Sequence, residues 1–236
     1  MSSALQSVGG HHVLCTGVYL RRSAPACDKE SMQKTVRKYA SHKQMKADEY
    51  RYWQSRPVHE RMDAVAEITL AVYAMKGAVP NVPRLQDLLS VFNAHGVKYL
   101  IVGGYAVSFH AQPRATKDLG LFIKADLANA RAAYAALTSF GAPLDDLRVE
   151  DLAEPRNFIR FGQKPAAVDI LAAIDGVDFD AAWERRIEGV IDPQRGLTAY
   201  SISKSDLIAS NLAAGGMRDL ADIEEIREAT EGPGLD

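Results

Sequence analysis

Residues Lys98 to Ile123 read KYLIVGGYAVSFHAQPRATKDLGLFI, and this stretch decides the fold. Lys98 to Val102 is a short apolar run of the kind that forms a buried strand. Gly103 and Gly104 make a turn, Tyr105 to His110 begins a short helix, and Pro113 lies beyond its end. Asp118 to Ile123 is the next strand candidate. A strand that delivers two glycines to a helix start leaves backbone N–H groups open to an anion, because no Cβ stands in the way and the helix N-terminus carries partial positive charge. The same two glycines also suit a plain strand-to-helix turn.

Two carboxylates give the turn chemical interest. Asp118 opens the strand that follows it, and Asp169 lies inside a second apolar run, Val168-Asp169-Ile170-Leu171. A carboxylate within such a run is costly unless it is paired or binds a metal. Asp118 and Asp169 together could hold Mg²⁺ on the phosphates of a nucleotide. The competing reading is a salt bridge from Asp118 to Arg114 or Lys117, and a paired or capping role for Asp169.

Outward from this stretch, helix and strand patterns alternate. Leu85, Leu88, Leu89 and Phe92 have helical spacing, and Gly96 closes that helix. Leu127 to Phe140 is an alanine-rich helix. Phe158–Phe161 and Ala167–Leu171 are expected strands, Phe179 to Arg186 a short helix, and Thr198 to Ile202 a late strand. Ser205 to Ala214 and Leu220 to Glu231 are expected helices, separated by Gly215-Gly216. Upstream, Lys46 to Met75 reads as helix broken by Pro57, with Ser55 a candidate cap and Pro57 in the first turn of the second piece.

The segment Leu85 to about Ala229 resembles the core of the nucleotidyltransferase superfamily, the polymerase-beta-like fold. The resemblance is strongest to its small bacterial members, including those encoded in toxin–antitoxin pairs. That family shows a Gly-Gly or Gly-Ser turn, a short helix, Asp-x-Asp on a strand, and a third acidic residue on a later strand. Gly103, Gly104, Asp118 and Asp169 sit where the pattern places its members, and Ser203 to Ile226 resembles the family's helical tail. The resemblance implies an α/β (α+β) fold with a small mixed sheet flanked by helices. It also implies Mg²⁺-dependent transfer of a nucleotidyl group from an NTP to a hydroxyl on RNA, a protein or a small molecule. In that scheme Asp118 and Asp169 are the catalytic metal ligands and Gly103 and Gly104 seat the triphosphate.

One position departs from the pattern. The second carboxylate belongs two residues after Asp118, on the same side of the strand, and the residue there is Gly120. Such a pair bridges two metal ions in many phosphoryl-transfer sites. Relatives also often carry a lysine where this chain has Asn211 and an arginine near Gly216; Lys204 and Arg218 are the nearby cations that would contact phosphate instead. These changes lead to two expectations: a weakened transferase, or a catalytically inactive nucleotide-binding or protein-interaction module.

Tyr50 to Tyr73, YRYWQSRPVHERMDAVAEITLAVY, resembles small bacterial proteins often encoded beside such nucleotidyltransferases, with a YWxSRPxxER-like run before an amphipathic helix. This implies a fusion of two normally separate partners and an intramolecular contact between arm and core, self-inhibitory if the arm covers the cleft. Tyr52, Trp53 and Arg56 are then contact residues, or they staple the two arm helices together.

Bulk properties agree with a globular protein. The 236 residues are 47% hydrophobic and 25% charged. The two cysteines, Cys15 and Cys27, form no disulfide framework or zinc spacing. No run approaches the ~20 apolar residues of a membrane span. Met1 to Gly10 has no basic n-region, and Arg21 and Arg22 follow the apolar run Val13 to Leu20, so no signal peptide and a cytoplasmic location are expected. The net charge of −2 divides unevenly: +1 over residues 1–31, +4 over 32–76 and −7 over the rest. The expected organisation is a flexible leader (1–31), a helical arm and linker (32–83), the core (84–202) and a helical tail (203–236).

Overall fold

The structure is a computed structural model that describes residues 37–77, 85–162 and 167–231. The leader, with His11, His12, Cys15 and Cys27, and most of the expected linker lie outside the described residues. Residues Tyr39–Asp236 form one compact unit. Its described elements are α1 (His42–Ser55), α2 (Val58–Ala74), α3 (Leu85–Ala94), β1 (Tyr99–Val102), α4 (Gly103–His110), β2 (Asp118–Ile123), α5 (Leu127–Phe140), β3 (Phe158–Phe161), β4 (Ala167–Leu171), α6 (Phe179–Glu184), β5 (Ile187–Asp192), β6 (Leu197–Ser201), α7 (Lys204–Ala214) and α8 (Met217–Glu231). A 3₁₀ turn spans Val149–Leu152.

The expected α+β architecture with a mixed sheet is present. The six strands run in the order β3-β4-β2-β1-β6-β5. β2 pairs antiparallel with β1 and parallel with β4, β1 pairs parallel with β6, and β3 and β5 close the two edges in antiparallel register. All four residues of β1 are buried, as a central strand covered on both faces requires. Phe92 of α3 meets Tyr99 edge-on from one side at 5.8 Å. Phe179 of α6 meets Phe122 at 5.0 Å; a contact of that geometry contributes about 0.5–1.5 kcal/mol beyond area burial.

Local chemistry explains most boundaries. The Asp126 side chain accepts from Asn129 N–H to start α5, and Gly141, at φ 79°, ends it. Ser203 caps α7 through Asp206 N–H. α2 differs from the expectation: Pro57 is itself the N-cap residue, with no side-chain cap. The Ser55 hydroxyl instead donates back to Tyr52 O at 2.7 Å. Serine near a helix end satisfies whichever backbone group is within reach, and here that group is a last-turn carbonyl of α1.

The helices α1 and α2 are built into the unit. The last carbonyls of a helix have no intrahelical donor, and those of α4 are met from the arm. Gln54 Nε2 donates to His110 O at 3.1 Å and to Ala111 O at 2.7 Å. Arg61, 7% exposed, donates from Nη1 to Phe109 O at 2.9 Å. Its positive charge also complements the dipole at that helix end. Met62 and Val65 of α2 are buried beside it. On α1, Tyr50 Oη donates to Glu228 of α8 at 2.9 Å, and Lys46 lies 3.6 Å from the same carboxylate. The basic arm therefore meets the acidic tail helix directly. Arg56 lies over the Tyr52 ring at 4.7 Å, and Tyr52 meets Trp53 edge-on at 5.1 Å. These three residues make contacts among themselves, and Tyr52 stays 50% exposed.

Candidate functional site

The Gly-Gly turn joins β1 to α4, and α4 begins at Gly103 itself rather than at Tyr105. Gly103 has φ +64°, a left-handed conformation that favours glycine, and a Cβ there would meet open space. Gly104 is restricted for a different reason. A Cβ on it would lie 2.7 Å from Thr116 Oγ1 and 3.0 Å from Arg114 Nη1. The space that a side chain would take at Gly104 is thus filled by the segment leading to Asp118.

That segment is fixed from two directions. Arg114 Nη2 contacts Asp222 of α8 at 2.5 Å, with side chains 17% and 7% exposed. Thr116 N–H donates to Thr69 Oγ1 of α2 at 3.1 Å. Arg114 thus ties the C-terminal helix to the glycine turn, and is engaged by Asp222 rather than by Asp118.

Pairing register places the two carboxylates. Gly120 lies opposite Val102 on β1 and opposite Asp169 on β4. Asp118, two residues earlier, shares the face of Gly120 because side chains alternate along a strand. Asp118 and Asp169 are therefore on one face, offset along neighbouring strands. Arg160 lies directly across from Asp169 on β3 and on the same face. Its Nε donates to Asp169 Oδ1 at 2.5 Å and its Nη2 to Asp169 Oδ2 at 2.6 Å, a two-pronged contact. The same Nη2 also reaches Asp118 Oδ2 at 3.1 Å. The Asp169 hydrogen bond raises the guanidinium above its ordinary value; burial opposes it, and the charges of Asp169 and Asp118 add to the rise. Asp169 is 8% exposed, and this arginine explains how its charge is accommodated within an apolar strand.

A carboxylate at position 120 would stand beside Asp169. A Cβ there would lie 2.9 Å from Val102 Cγ2 and 3.3 Å from Val102 O. The valine side chain has taken up the room that such a residue needs.

The remaining sequence candidates are engaged elsewhere. Lys204 Nζ donates to Thr230 Oγ1 at 2.6 Å. Arg218 Nη2 donates to Ala115 O at 2.8 Å, against the segment between the glycine turn and Asp118. Asn211 is 8% exposed, and its Nδ2 has no hydrogen-bond partner among the described residues. His110, at the end of α4, donates from Nε2 to Ile202 O at 2.8 Å, which requires the Nε2–H form. Burial holds His110 below its ordinary value; the Ile202 carbonyl opposes this, while the Lys204 and Arg61 charges add to it.

These residues, as placed, do not fit Mg²⁺. The ion demands oxygen ligands in near-ideal octahedral geometry. Both oxygens of Asp169 and one of Asp118 instead face the guanidinium of Arg160. Among the described residues no group of three or more His, Cys, Asp or Glu side chains is placed to hold a metal. No helix of the described residues is long and apolar enough to cross a membrane.

Arg160 is the residue that sequence reasoning missed. Its signal was a single charged residue within the apolar run Phe158–Phe161, but its partner depends on how β3 registers against β4. No protein-family model matches the chain, and no curated protein matches it.

Proposed function

We propose that this chain is a nucleotidyltransferase-like protein without metal-dependent transfer activity, a module whose output is binding rather than chemistry. The observation that carries this reading is the Asp118–Arg160–Asp169 arrangement. Nucleotidyl transfer depends mainly on positioning and on neutralising phosphate charge, to which bound metal ions contribute. Here the two carboxylates that would bring in the metal already neutralise a side chain of the same protein. Gly120 removes the third carboxylate, and the Val102 side chain closes the space it would need.

The test is calorimetry with an NTP in the presence and absence of Mg²⁺, for the native chain and for Asp118→Ala, followed by an assay for transfer of labelled nucleotide. The expected result is no binding that depends on Mg²⁺, and no transfer. Mg²⁺-dependent binding that disappears in Asp118→Ala, together with transfer, would overturn the reading in favour of a weakened transferase.

A further inference from the structure

We infer that Arg160 is a built-in cation that stands in for a divalent metal at Asp118 and Asp169, so that the guanidinium and a metal ion are mutually exclusive partners of this carboxylate pair. The inference rests on the nucleotidyltransferase-like reading of the site and deepens it.

Charge and geometry both support it. Two carboxylates on one sheet face, on adjacent strands, repel each other unless a cation lies between them. Arg160 is aligned for that role by strand pairing alone, since it lies opposite Asp169 in the β3–β4 register. Its planar fork matches one carboxylate with two hydrogen bonds and leaves the Nη2 group able to reach the second. The guanidinium also lies over the Phe158 ring, 5.3 Å from its centroid, a favourable cation–π contact. A third carboxylate at position 120 would leave a net charge of −2 after pairing with one arginine; with Gly120 the three groups sum to −1. Loss of the carboxylate and possession of the arginine are therefore complementary features. An arginine cannot be titrated away in the ordinary pH range, so the substitution for the metal is permanent rather than conditional.

The experiment uses the full chain, with Mn²⁺ alone as the probe. Bound Mn²⁺ is read by electron paramagnetic resonance, and thermal unfolding is recorded in EDTA and in Mn²⁺. The native chain is expected to show no saturable Mn²⁺ site that Asp118→Asn removes, and the same melting temperature in both buffers. Arg160→Gln is expected to melt lower than the native chain in EDTA. It should gain one saturable site, recover part of its melting temperature with Mn²⁺, and lose both gains when Asp169→Asn is added. Should Arg160→Gln not fold, Arg160→Lys replaces it: a single ammonium cannot reproduce the fork, so its melting temperature should rise with Mn²⁺ where the native one does not. A saturable native site lost in Asp118→Asn would overturn the inference. So would an arginine variant that melts like the native chain and binds no Mn²⁺. Neither result by itself restores transfer, so failure here is distinguishable from failure of the functional reading, which the labelled-nucleotide assay decides.

Discussion

Placing an aspartate at position 120 is the direct test of the crowding at Gly120 and bears on the proposed nucleotidyltransferase-like site. The geometry indicates that this single change is destabilising. The new Cβ would lie 2.9 Å from Val102 Cγ2, and Val102 is 8% exposed within the central sheet. Overpacking of that kind costs about 1–3 kcal/mol. The added carboxylate would also stand across from Asp169, and like charges directly opposite on paired strands cost up to about 1 kcal/mol. For a chain of this size each kcal/mol lowers the melting temperature by about 2–4 °C. Gly120→Asp should therefore melt roughly 2–16 °C below the native chain. The two contributions separate experimentally. Val102→Ala clears the space, so the double variant should show a favourable coupling of about 0.5–3 kcal/mol in a double-mutant cycle. Urea or thermal unfolding of the four proteins measures all of this. A Gly120→Asp chain as stable as the native one, or a cycle without coupling, would refute the argument that Val102 fills the space beside Gly120. If the double variant is well folded, it is also a protein in which to assay nucleotide transfer against the proposed function.

Four further outcomes follow from the contacts around the turn. Asp222→Ala leaves Arg114 nearly buried without its carboxylate and should cost about 3 kcal/mol, read by chemical denaturation. Gln54→Ala removes the donor shared by His110 O and Ala111 O, and should cost about 1 kcal/mol; hydrogen exchange at the end of α4 should rise with it. By the same contacts, deleting the arm should destabilise the core rather than release an active form, which a melting curve of the truncated chain would check. His110 is held below its ordinary value by burial. The unfolded chain therefore binds more protons, and the stability His110 contributes is present above about pH 6.5 and lost as pH falls through its folded value. His110→Gln should flatten that acid-side loss relative to the native chain in unfolding measured across pH.

The legibility of this protein in its sequence depended on the range of the interactions involved. Periodicity and apolar runs placed β2, α5, β3 and β4 at their observed boundaries, because those boundaries are set by local features: an aspartate cap, a left-handed glycine, the ends of an apolar run. β5 gives no apolar run, since Glu188 and Gly189 lie together between Ile187 and Val190, both exposed on an edge strand. The start of α4 was placed two residues late because two glycines read as a turn, although here they form the first helical residues.

The candidate site divides in the same way. Residue spacing alone put Asp118 and Gly120 on one face of a strand, since that follows from backbone alternation. The presence of Asp169 on that same face, with Arg160 across from it, depends on two strand registers, and a register is a long-range property: a slip of one residue sends the side chain to the opposite face. The explanation for Gly104 is also tertiary, because its constraint comes from Thr116 and Arg114, which reach it through a loop held by α2 and α8. The amino-acid sequence by itself determined the fold class, the order of most elements and the absence of a side chain at Gly120, each encoded within a few neighbouring residues. Only the tertiary structure decided what the remaining carboxylates face, because electrostatic partners are chosen by the pairing of strands distant in sequence.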